Sequence, residues 1–306
     1  MVETLMQGSD EYEGWRLEWC TVRSRDGSSH GEGYGVRTRY AASGRAERPP
    51  LVLLHGIGRS LEDWSASVPL AQHYRLYAPD LIGFGYTDKP GIAYTLEQLA
   101  TFVKDFLEAV GETRPVTLLG NSLGGAVAQT FAVQYPERTK ALVLVASAGF
   151  GKEVILALKL ITVPGLGELL IKPSRRSAAN TIRSFFHDPK LGTEERVAHT
   201  LDLARQPGAK RAFLASTRNL GTWRGVRADW REALSRRLVK LKLPTLLVWG
   251  EYDEVLPAAH LESAARLYPH AQAHLFRDTG HAPQLERAGD FNALVLNFLK
   301  NLEVKG

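Results

Sequence analysis

The stretch that decides the fold is VTLLGNSLGGAVAQTFAVQYP, residues 116–136. It begins with an apolar run that predicts a strand buried on both faces, and it ends with a helical pattern closed by Pro136. Between the two, Gly120, Ser122 and Gly124 match the pattern G-x-S-x-G. A sharp strand-to-helix turn forces the central residue into a strained backbone conformation, and glycines two positions to either side leave room for it. The stretch therefore predicts that the Ser122 hydroxyl projects above the sheet edge, where open α/β sheets bind ligands.

Strand patterns recur on both sides of this stretch. Short apolar runs predict five further strands, at residues 50–54, 74–78, 141–145, 244–249 and 271–276. Thr95 and Gln98 form a capping box that predicts a helix ending near Gly111, and residues 291–302 predict a closing helix. Alternating strands and helices indicate βαβ units, and therefore an α/β fold with a parallel sheet.

The segment from residue 149 to 241 departs from this alternation, because it has helical periodicity and no convincing strand. Residues 150–240 contain 18 Lys and Arg against 8 Asp and Glu, although the whole chain has a net charge of only +5. We therefore predict a core domain of residues 1–148 and 242–306, with a helical cap of residues 149–241 inserted into it. Such a basic charge can attract nucleic acid, anionic lipid or acidic substrates, although a solvated helical surface is the favoured explanation. Since no nucleic-acid module accompanies it, we expect no nucleic-acid partner.

The composition is that of an ordinary globular chain, with 44% hydrophobic and 23% charged residues. One cysteine, Cys20, cannot form an internal disulfide and suits a reducing compartment. The N-terminus carries acidic residues where a secretory signal has a basic start, and no run of about 18 apolar residues predicts a membrane span. Complete dinucleotide or phosphate-binding loops and metal-ligand spacings are also missing. These patterns predict a cytoplasmic enzyme that needs no cofactor and no metal.

Two further residues complete a hydrolytic site around Ser122. A serine hydroxyl needs a base to remove its proton, and His281, after the last predicted strand, titrates near neutral pH. Asp253 follows the strand at 244–249 and is the best-placed carboxylate to hold the other ring nitrogen. Three other carboxylates lie close in sequence: Glu251, Glu254 and Asp278. The chain order Ser122, Asp253, His281 predicts a catalytic triad.

Backbone donors for a developing oxyanion are predicted at two positions. Leu123 directly follows the nucleophile, and its N–H is the first donor. The glycine-rich loop at residues 55–58 follows an earlier strand, and the N–H of Ile57 is the second. We expect His55 to hold this loop by hydrogen bonds and to take no part in catalysis.

Five segments carry a wider resemblance: LVLLHGIG (51–58), APDLIGFGYTDKP (78–90), LLGNSLGGAVAQTFAVQYPER (118–138), LLVWGEYDEVLP (246–257) and DTGHAPQLER (278–287). With them, the chain from about residue 48 to 300 resembles an α/β-hydrolase-fold enzyme with a helical cap. The resemblance implies an eight-stranded, mostly parallel sheet, the triad and oxyanion donors named above, and a cap after the strand at 141–145. It also implies that residues 1–47 supply leading antiparallel strands.

Two branches of that fold compete for the function. Segments 80–90 and 120–125 are similar to the carbon–carbon hydrolases that cleave ring-fission (meta-cleavage) products of aromatic degradation. Those enzymes usually carry Pro-Gly soon after the oxyanion loop and a tryptophan after the catalytic histidine, where this chain has Arg59-Ser60 and Ala282. These differences favour the carboxylesterase branch, which implies hydrolysis of small to medium apolar carboxylic esters through an acyl-serine intermediate. C–C hydrolysis is the alternative enzyme, and a ligand receptor with a silent triad is the non-enzymatic alternative.

Apolar residues between 154 and 171 predict either a roof over a pocket above Ser122 or a surface that packs on the core. Four aromatic side chains are candidates for the pocket wall: Phe185, Phe186, Phe213 and Trp223. Gly165 and Gly167 would let this segment open as a lid. Because Pro164 interrupts it, we expect no stable membrane insertion. The expected partner is a small-molecule ester, and the sequence leaves a homodimer open.

Overall fold

Leucine- and valine-rich runs form the centre of one sheet in the computed structural model, which describes residues 11–12, 14–24 and 34–303. Pro50–Leu54 is buried along its whole length, as a strand covered on both faces must be. The strands are β1 (Glu11–Tyr12), β2 (Trp15–Ser24), β3 (Tyr34–Ser43), β4 (Pro50–Leu54), β5 (Arg75–Pro79), β6 (Val116–Asn121), β7 (Thr139–Val145), β8 (Gly221–Thr222), β9 (Gly225–Val226), β10 (Thr245–Gly250) and β11 (Gln272–Phe276).

The main sheet has the order β1-β2-β3-β5-β4-β6-β7-β10-β11. From β5 to β11 every neighbouring pair is parallel, and the pairs from β1 to β5 are antiparallel. The predicted α/β fold with eight mostly parallel strands is confirmed, with the two-residue β1 added at one edge. The leading antiparallel strands implied for residues 1–47 are β1 to β3, while residues 1–10, 13 and 25–33 lie outside the described residues.

Helices connect the strands and cover the sheet. They are α1 (Leu96–Ala109), α2 (Leu123–Gln134), α3 (Leu156–Ile161), α4 (Leu166–Leu170), α5 (Arg175–Phe185), α6 (Glu194–Arg205), α7 (Ala209–Leu220), α8 (Ala228–Leu241), α9 (Ala259–Leu267), α10 (Pro283–Glu286) and α11 (Ala288–Glu303), with 3₁₀ helices at Leu61–Gln72, Pro136–Arg138 and Pro189–Leu191. The capping box that starts α1 is present, with the Gln98 N–H donating to Thr95 Oγ1 at 3.3 Å. Within the described ranges, no helix combines the length and the apolarity needed to cross a bilayer.

The insertion between β7 and β10 is helical, as its periodicity predicts, and contains α3 to α8. The prediction that it holds no strand is wrong for one short hairpin, in which Gly221–Thr222 pairs with Gly225–Val226. Two residues a side are too few to leave a period-two pattern in the sequence. The last helix of the insertion, α8, packs on α2, and its Leu234 and Leu238 join the main core cluster. This helix therefore covers the sheet, although the predicted boundary at residue 241 assigns it to the cap.

Apolar side chains fill both faces of the sheet. One cluster lies under α1, α2, α8 and α9, and a second lies under the 3₁₀ helix Leu61–Gln72 and α11. A smaller cluster joins α5 and α6 of the cap to Ala282 and Leu285 of the core. Because β4, β6, β10 and β11 run parallel within the sheet, their carboxyl ends share one edge of it. This edge lies beneath the cap.

Candidate active site

Ser122 occupies the turn between β6 and α2 with φ 56° and ψ −116°, a conformation that costs a non-glycine residue free energy. The glycines on either side are required by close packing. A Cβ on Gly120 would overlap the carbonyl of Gly124, and a Cβ on Gly124 would overlap the carbonyl of Leu54. The turn is anchored by the Ser122 N–H, which donates to Val145 O at 3.0 Å. The surrounding backbone thus holds the serine in its strained position.

His281 and Asp253 form a buried pair in the loops that follow β11 and β10. Nδ1 of the imidazole lies 2.8 Å from Asp253 Oδ2, and both side chains are almost fully buried. The other carboxylate oxygen, Oδ1, accepts the N–H groups of Val255 and Leu256, each at 2.8 Å. These bonds fix the carboxylate and leave Nε2 as the imidazole nitrogen free for other chemistry. Glu251, one of the competing carboxylates on the same loop, instead accepts the N–H of Asp278 at 3.3 Å.

Asn121, the residue before Ser122, joins the serine turn to the histidine loop. Its Nδ2 donates to His281 O at 3.1 Å and to Val145 O at 3.2 Å. The described backbone and side-chain contacts therefore bring the Ser122 turn and the His281 loop together across the sheet edge. Sequence reasoning missed this role, although the position of Asn121 inside the glycine–serine motif was a usable signal.

The loop after β4 supplies the second predicted oxyanion donor. Ile57 and Leu123 line the same cavity as Ser122. Leu123 is the first residue of α2, where a helix has no carbonyl partner for its N–H. His55 holds the loop: its Nε2 accepts the Leu81 N–H at 2.9 Å, and its Nδ1 lies 2.8 Å from Gly56 O. Burial lowers the pKa of the His55 imidazole, so the ring is neutral and suits these two bonds.

A cavity of about 60 Å³ lies over Ser122, between the core and the cap. The core contributes Ile57, Ser122, Leu123, Ala148, Val255 and Leu256, and the cap contributes Val154, Leu158, Lys159, Thr162, Thr217, Leu220, Gly221, Thr222, Gly225 and Val226. Aliphatic side chains dominate this lining, which suits a substrate with an apolar portion. The predicted roof from residue 154 onward is thus present as far as Thr162.

Among the lining residues that the structure describes, Lys159 alone carries a charge. Lys159 takes part in none of the ion pairs that Arg or Lys side chains form among the described cap residues. Those pairs are Arg175–Glu194, Arg218–Glu168, Arg227–Asp229 and Arg236–Glu232. Lys159 is half-buried on α3. A cation in this position can bind an anionic group of a substrate, and sequence reasoning did not single it out.

The four aromatic residues predicted for the pocket wall lie outside the cavity lining. Phe185 packs edge-on against the His281 ring at a centroid distance of 5.3 Å, and its carbonyl accepts the His281 N–H at 2.9 Å. Phe186 packs edge-on against Phe185 within the cap cluster. The Phe213 ring lies against Gly58, where a Cβ would come within 2.8 Å of it. Trp223 is 63% exposed in the turn of the hairpin.

Arg59 and Ser60 stand where the carbon–carbon hydrolases usually carry Pro-Gly, which is the first of the two departures from the pattern of those enzymes. Both residues connect the oxyanion loop to the cap. The Arg59 guanidinium is buried, pairs with Asp63 at 2.6 Å and donates to Thr200 Oγ1 of α6 at 3.0 Å. Ser60 Oγ lies 2.9 Å from Nε2 of His199, also on α6. The other departure, Ala282, is fully buried in the cap cluster.

In the part of the chain that the structure describes, no group of three His, Cys, Asp or Glu side chains is arranged to hold a metal ion.

Comparisons with known proteins agree with this fold. A family model for the alpha/beta hydrolase fold matches residues 49–288. The chain is 31% identical over 264 residues to 2-hydroxy-6-oxo-6-phenylhexa-2,4-dienoate hydrolase of Burkholderia cepacia, covering 82% of this chain and 87% of that protein. The solved structure of a meta-cleavage product hydrolase from Pseudomonas fluorescens IP01 superposes with a TM-score of 0.74 at 29% identity, covering 87% and 95% of the two chains. A bacterial membrane phospholipase A superposes with a TM-score of 0.73 at 26% identity, covering 99% and 90%.

Proposed function

This chain belongs to the α/β-hydrolase family, and we propose that it is a serine hydrolase in which Ser122 forms an acyl intermediate. One observation carries the proposal. Ser122, Ile57 and Leu123 line a single apolar cavity, and the His281–Asp253 pair lies at the neighbouring strand ends. A carbonyl group held in this cavity meets the nucleophile and the two donor positions, and the base lies on the loop that Asn121 joins to the serine turn.

The proposed reaction follows from these positions. Ser122 Oγ attacks the substrate carbonyl carbon while Nε2 of His281 takes the hydroxyl proton. The N–H groups of Ile57 and Leu123 stabilise the oxyanion, and each such donor contributes a factor of roughly 10² to 10³ in rate. His281 returns the proton to the leaving group, and a water molecule then hydrolyses the acyl-serine by the same route. Asp253 holds the imidazole tautomer and stabilises the imidazolium that forms.

Hydrolysis of a carbon–carbon bond is the first candidate reaction. The relative from Burkholderia cepacia and the solved structure from Pseudomonas fluorescens are enzymes of this kind. The names of such relatives describe dienoic acids, and Lys159 supplies a cation for a carboxylate within an otherwise apolar lining. In this reaction water adds across the bond: the carbonyl fragment becomes a carboxylic acid, and the departing carbon takes up a proton. The relatives thus support this candidate at least as well as the ester interpretation that the sequence favours.

Hydrolysis of an apolar carboxylic ester is the second candidate. Arg59 and Ser60 tie the oxyanion loop to α6, so this loop is built differently from the Pro-Gly loop that the C–C hydrolases usually carry. One of the similar solved structures is that of a phospholipase A, and phospholipids are carboxylic esters, which supports this candidate. An ester needs no stabilised carbanion as leaving group, so the aliphatic cavity is sufficient for it.

Turnover of two substrate panels decides between the candidates. The purified protein is given yellow ring-fission dienoic acids, whose absorbance is lost on cleavage, and p-nitrophenyl esters of increasing acyl length. Faster turnover of the ring-fission acids, by roughly tenfold or more in kcat/KM, supports C–C hydrolysis. The opposite order supports the ester candidate. In both cases Ser122→Ala must abolish turnover, and turnover that survives in this variant would overturn the proposal.

A further inference from the structure

Large apolar side chains are exposed mainly on the cap. The described residues contain eight such side chains, and five of them lie between residues 156 and 223. We call these five the cap patch: Leu156 (66% exposed), Leu160 (39%), Leu169 (66%), Leu170 (49%) and Trp223 (63%). Single exposed leucines are common on protein surfaces, but a group of this kind marks an interaction site.

Three neighbouring elements carry the cap patch. Leu156 and Leu160 are one turn apart on α3 and so lie on the same side of it. Helix α4 packs so closely on α3 that a Cβ on Gly167 would overlap the carbonyl of Ile161. The hairpin that bears Trp223 lies beside the start of this segment, where the Val226 N–H donates to Lys152 O at 2.9 Å.

The same elements border the active-site cavity. The cavity lining includes Leu158 and Lys159 of α3 and Thr222 of the hairpin. Lys159 and Thr222 are each followed by a residue of the cap patch, and Leu158 follows an exposed residue of α3. A surface that covered the cap patch would therefore lie next to the cavity over Ser122. This arrangement suits delivery of an apolar molecule from that surface.

Exposed cations accompany the patch. Lys152 precedes α3, Lys172 and Arg176 follow α4, and Arg224 lies next to Trp223, with its guanidinium 5.0 Å from the indole ring. None of these four belongs to the ion pairs that the described cap residues make. They are part of the cationic excess between residues 150 and 240. The partner of the patch must therefore offer apolar groups and negative charge together.

We propose that the cap patch docks on an anionic lipid surface. Such a surface presents acyl chains to leucine and tryptophan side chains and phosphate groups to lysine and arginine. A second copy of this chain fits less well, because a two-fold contact would bring the same cations face to face. Helices α3 and α4 have 6 and 5 residues and meet at Pro164 and Gly165, so the contact is shallow and leaves the chain on the surface. The basic and apolar groups are spread over three elements, which the sequence pattern of a single helix does not reveal.

Vesicle co-sedimentation tests the proposal without any turnover, so it stands apart from the proposed hydrolysis. The full chain is mixed with vesicles of phosphatidylcholine alone or of phosphatidylcholine and phosphatidylglycerol in equal parts. We expect binding to the anionic vesicles to be roughly tenfold tighter or more, and to weaken as salt is added. The double variant Lys172→Gln, Arg176→Gln should lose most of this preference for anionic lipid.

Two apolar variants make the test specific to the patch. Leu156→Ser combined with Leu169→Ser should weaken binding by roughly tenfold or more, because both side chains lose their contact with lipid. The matched control is Leu275→Ser on β11, which removes a 42% exposed leucine outside the cap and should bind as the wild type does. Unchanged unfolding temperatures show that these surface variants are folded.

Three outcomes would overturn the proposal. The wild type fails to bind anionic vesicles, or the Leu156→Ser, Leu169→Ser variant binds as tightly as the wild type. In the third, size-exclusion chromatography shows a dimer that the same variant converts to a monomer while vesicles capture neither form. That result would make the patch an interface between copies of this chain.

Discussion

Ser122 shows how much of the site depends on a single backbone position. Its positive φ costs on the order of 1–3 kcal/mol, which the packing and hydrogen bonds of the turn must offset. The residue type and its spacing from two glycines are enough to identify it in the sequence. Asp253 and His281 are identifiable for a different reason, since each follows a predicted strand whose carboxyl end lies at the same sheet edge as that of β6. The chain order predicts that these two side chains interact, but the 2.8 Å distance between them is set by the tertiary structure.

Cavity-lining residues were much harder to predict. Phe185 was a sound candidate by residue type, but it supports the His281 ring. Trp223 lies at the surface, although its neighbour Thr222 lines the cavity. Which cap side chains face the cavity depends on how the short cap helices pack. If such a helix were rotated by the angle between two successive residues, different side chains would line the cavity. Lys159 was overlooked because a lysine on a short cap helix is normally a solvated surface residue.

Lys159→Met should raise the KM for an acidic substrate by roughly tenfold or more, because a charge-assisted hydrogen bond to a carboxylate is worth about 1.5–3 kcal/mol. The KM for a neutral ester of similar size should change by less than about threefold. Steady-state kinetics on both substrates measure the difference. Lys159→Arg should keep most of the affinity, and Lys190→Met, at an exposed cap position outside the cavity lining, should behave as the wild type. Equal effects on the acidic and the neutral substrate would show that Lys159 does not bind the carboxylate.

The β6–turn–α2 element is fixed by close backbone contacts. Because glycine is needed at 120 and 124 for space, the motif itself encodes the geometry of the turn. Strands β4 to β7, β10 and β11 could also be predicted, since each is a short apolar run bounded by turn residues. The longer β2 and β3 are not such runs, and only the family resemblance implied them. The hairpin β8–β9 could not, because two residues a side leave no periodic pattern. The 3₁₀ helix Leu61–Gln72 could not either, because its apolar residues do not recur with the period of an α-helix. Periodicity identifies α8 as a helix but does not say whether it packs on the core or the cap.

Gly124→Ala should destabilise the protein by about 3 kcal/mol or more, or prevent folding, because the added Cβ would overlap the Leu54 carbonyl. The matched control is Gly289→Ala near the start of α11, where a Cβ would meet no atom within 4 Å. Its stability should stay within about 1 kcal/mol of the wild type. Chemical denaturation measures both free energies of unfolding. A Gly124→Ala protein as stable as the control would show that the turn is looser than this packing implies.

Buried charged and titratable groups hold the molecule together around the site. Arg39 pairs with the fully buried Asp80 at 2.7 Å and with Glu62 at 2.8 Å, and Glu62 lies 3.4 Å from His199 of the cap. Burial would raise the pKa of Glu62, but Arg39 and His199 outweigh it and hold that pKa well below its usual range. This network joins β3, the 3₁₀ helix Leu61–Gln72, the residue after β5 and α6 of the cap. None of it was predicted, because the sequence does not reveal which charges are buried together.

Stability should fall as the pH drops below about 6.5. Burial lowers the pKa of His55 and of His260 below the ordinary 6.5, so the unfolded chain binds their protons first. Each histidine therefore stabilises the fold above that pH, and its contribution is lost by up to about 1.4 kcal/mol per pH unit below it. The depressed carboxylate Glu62 adds a separate loss that begins only below its ordinary value of 4.5.

Unfolding temperatures measured from about pH 7.5 to about pH 5.5 check this expectation. His55→Asn should be less stable at every pH but should show a shallower decline, whereas His73→Asn, at an exposed position, should keep the wild-type slope. A flat wild-type profile across this range would contradict the assignment of neutral, buried histidines.

The identity of the nucleophile is the claim on which the proposed function depends, and covalent labelling with a fluorophosphonate tests it most directly. Mass spectrometry of the digested protein should find one phosphonylated residue, Ser122, in the wild type. Labelling should disappear in Ser122→Ala and slow by roughly 10³-fold or more in His281→Ala, which removes the base. A wild-type protein that stays unlabelled, or that carries the label on another residue, would contradict the account.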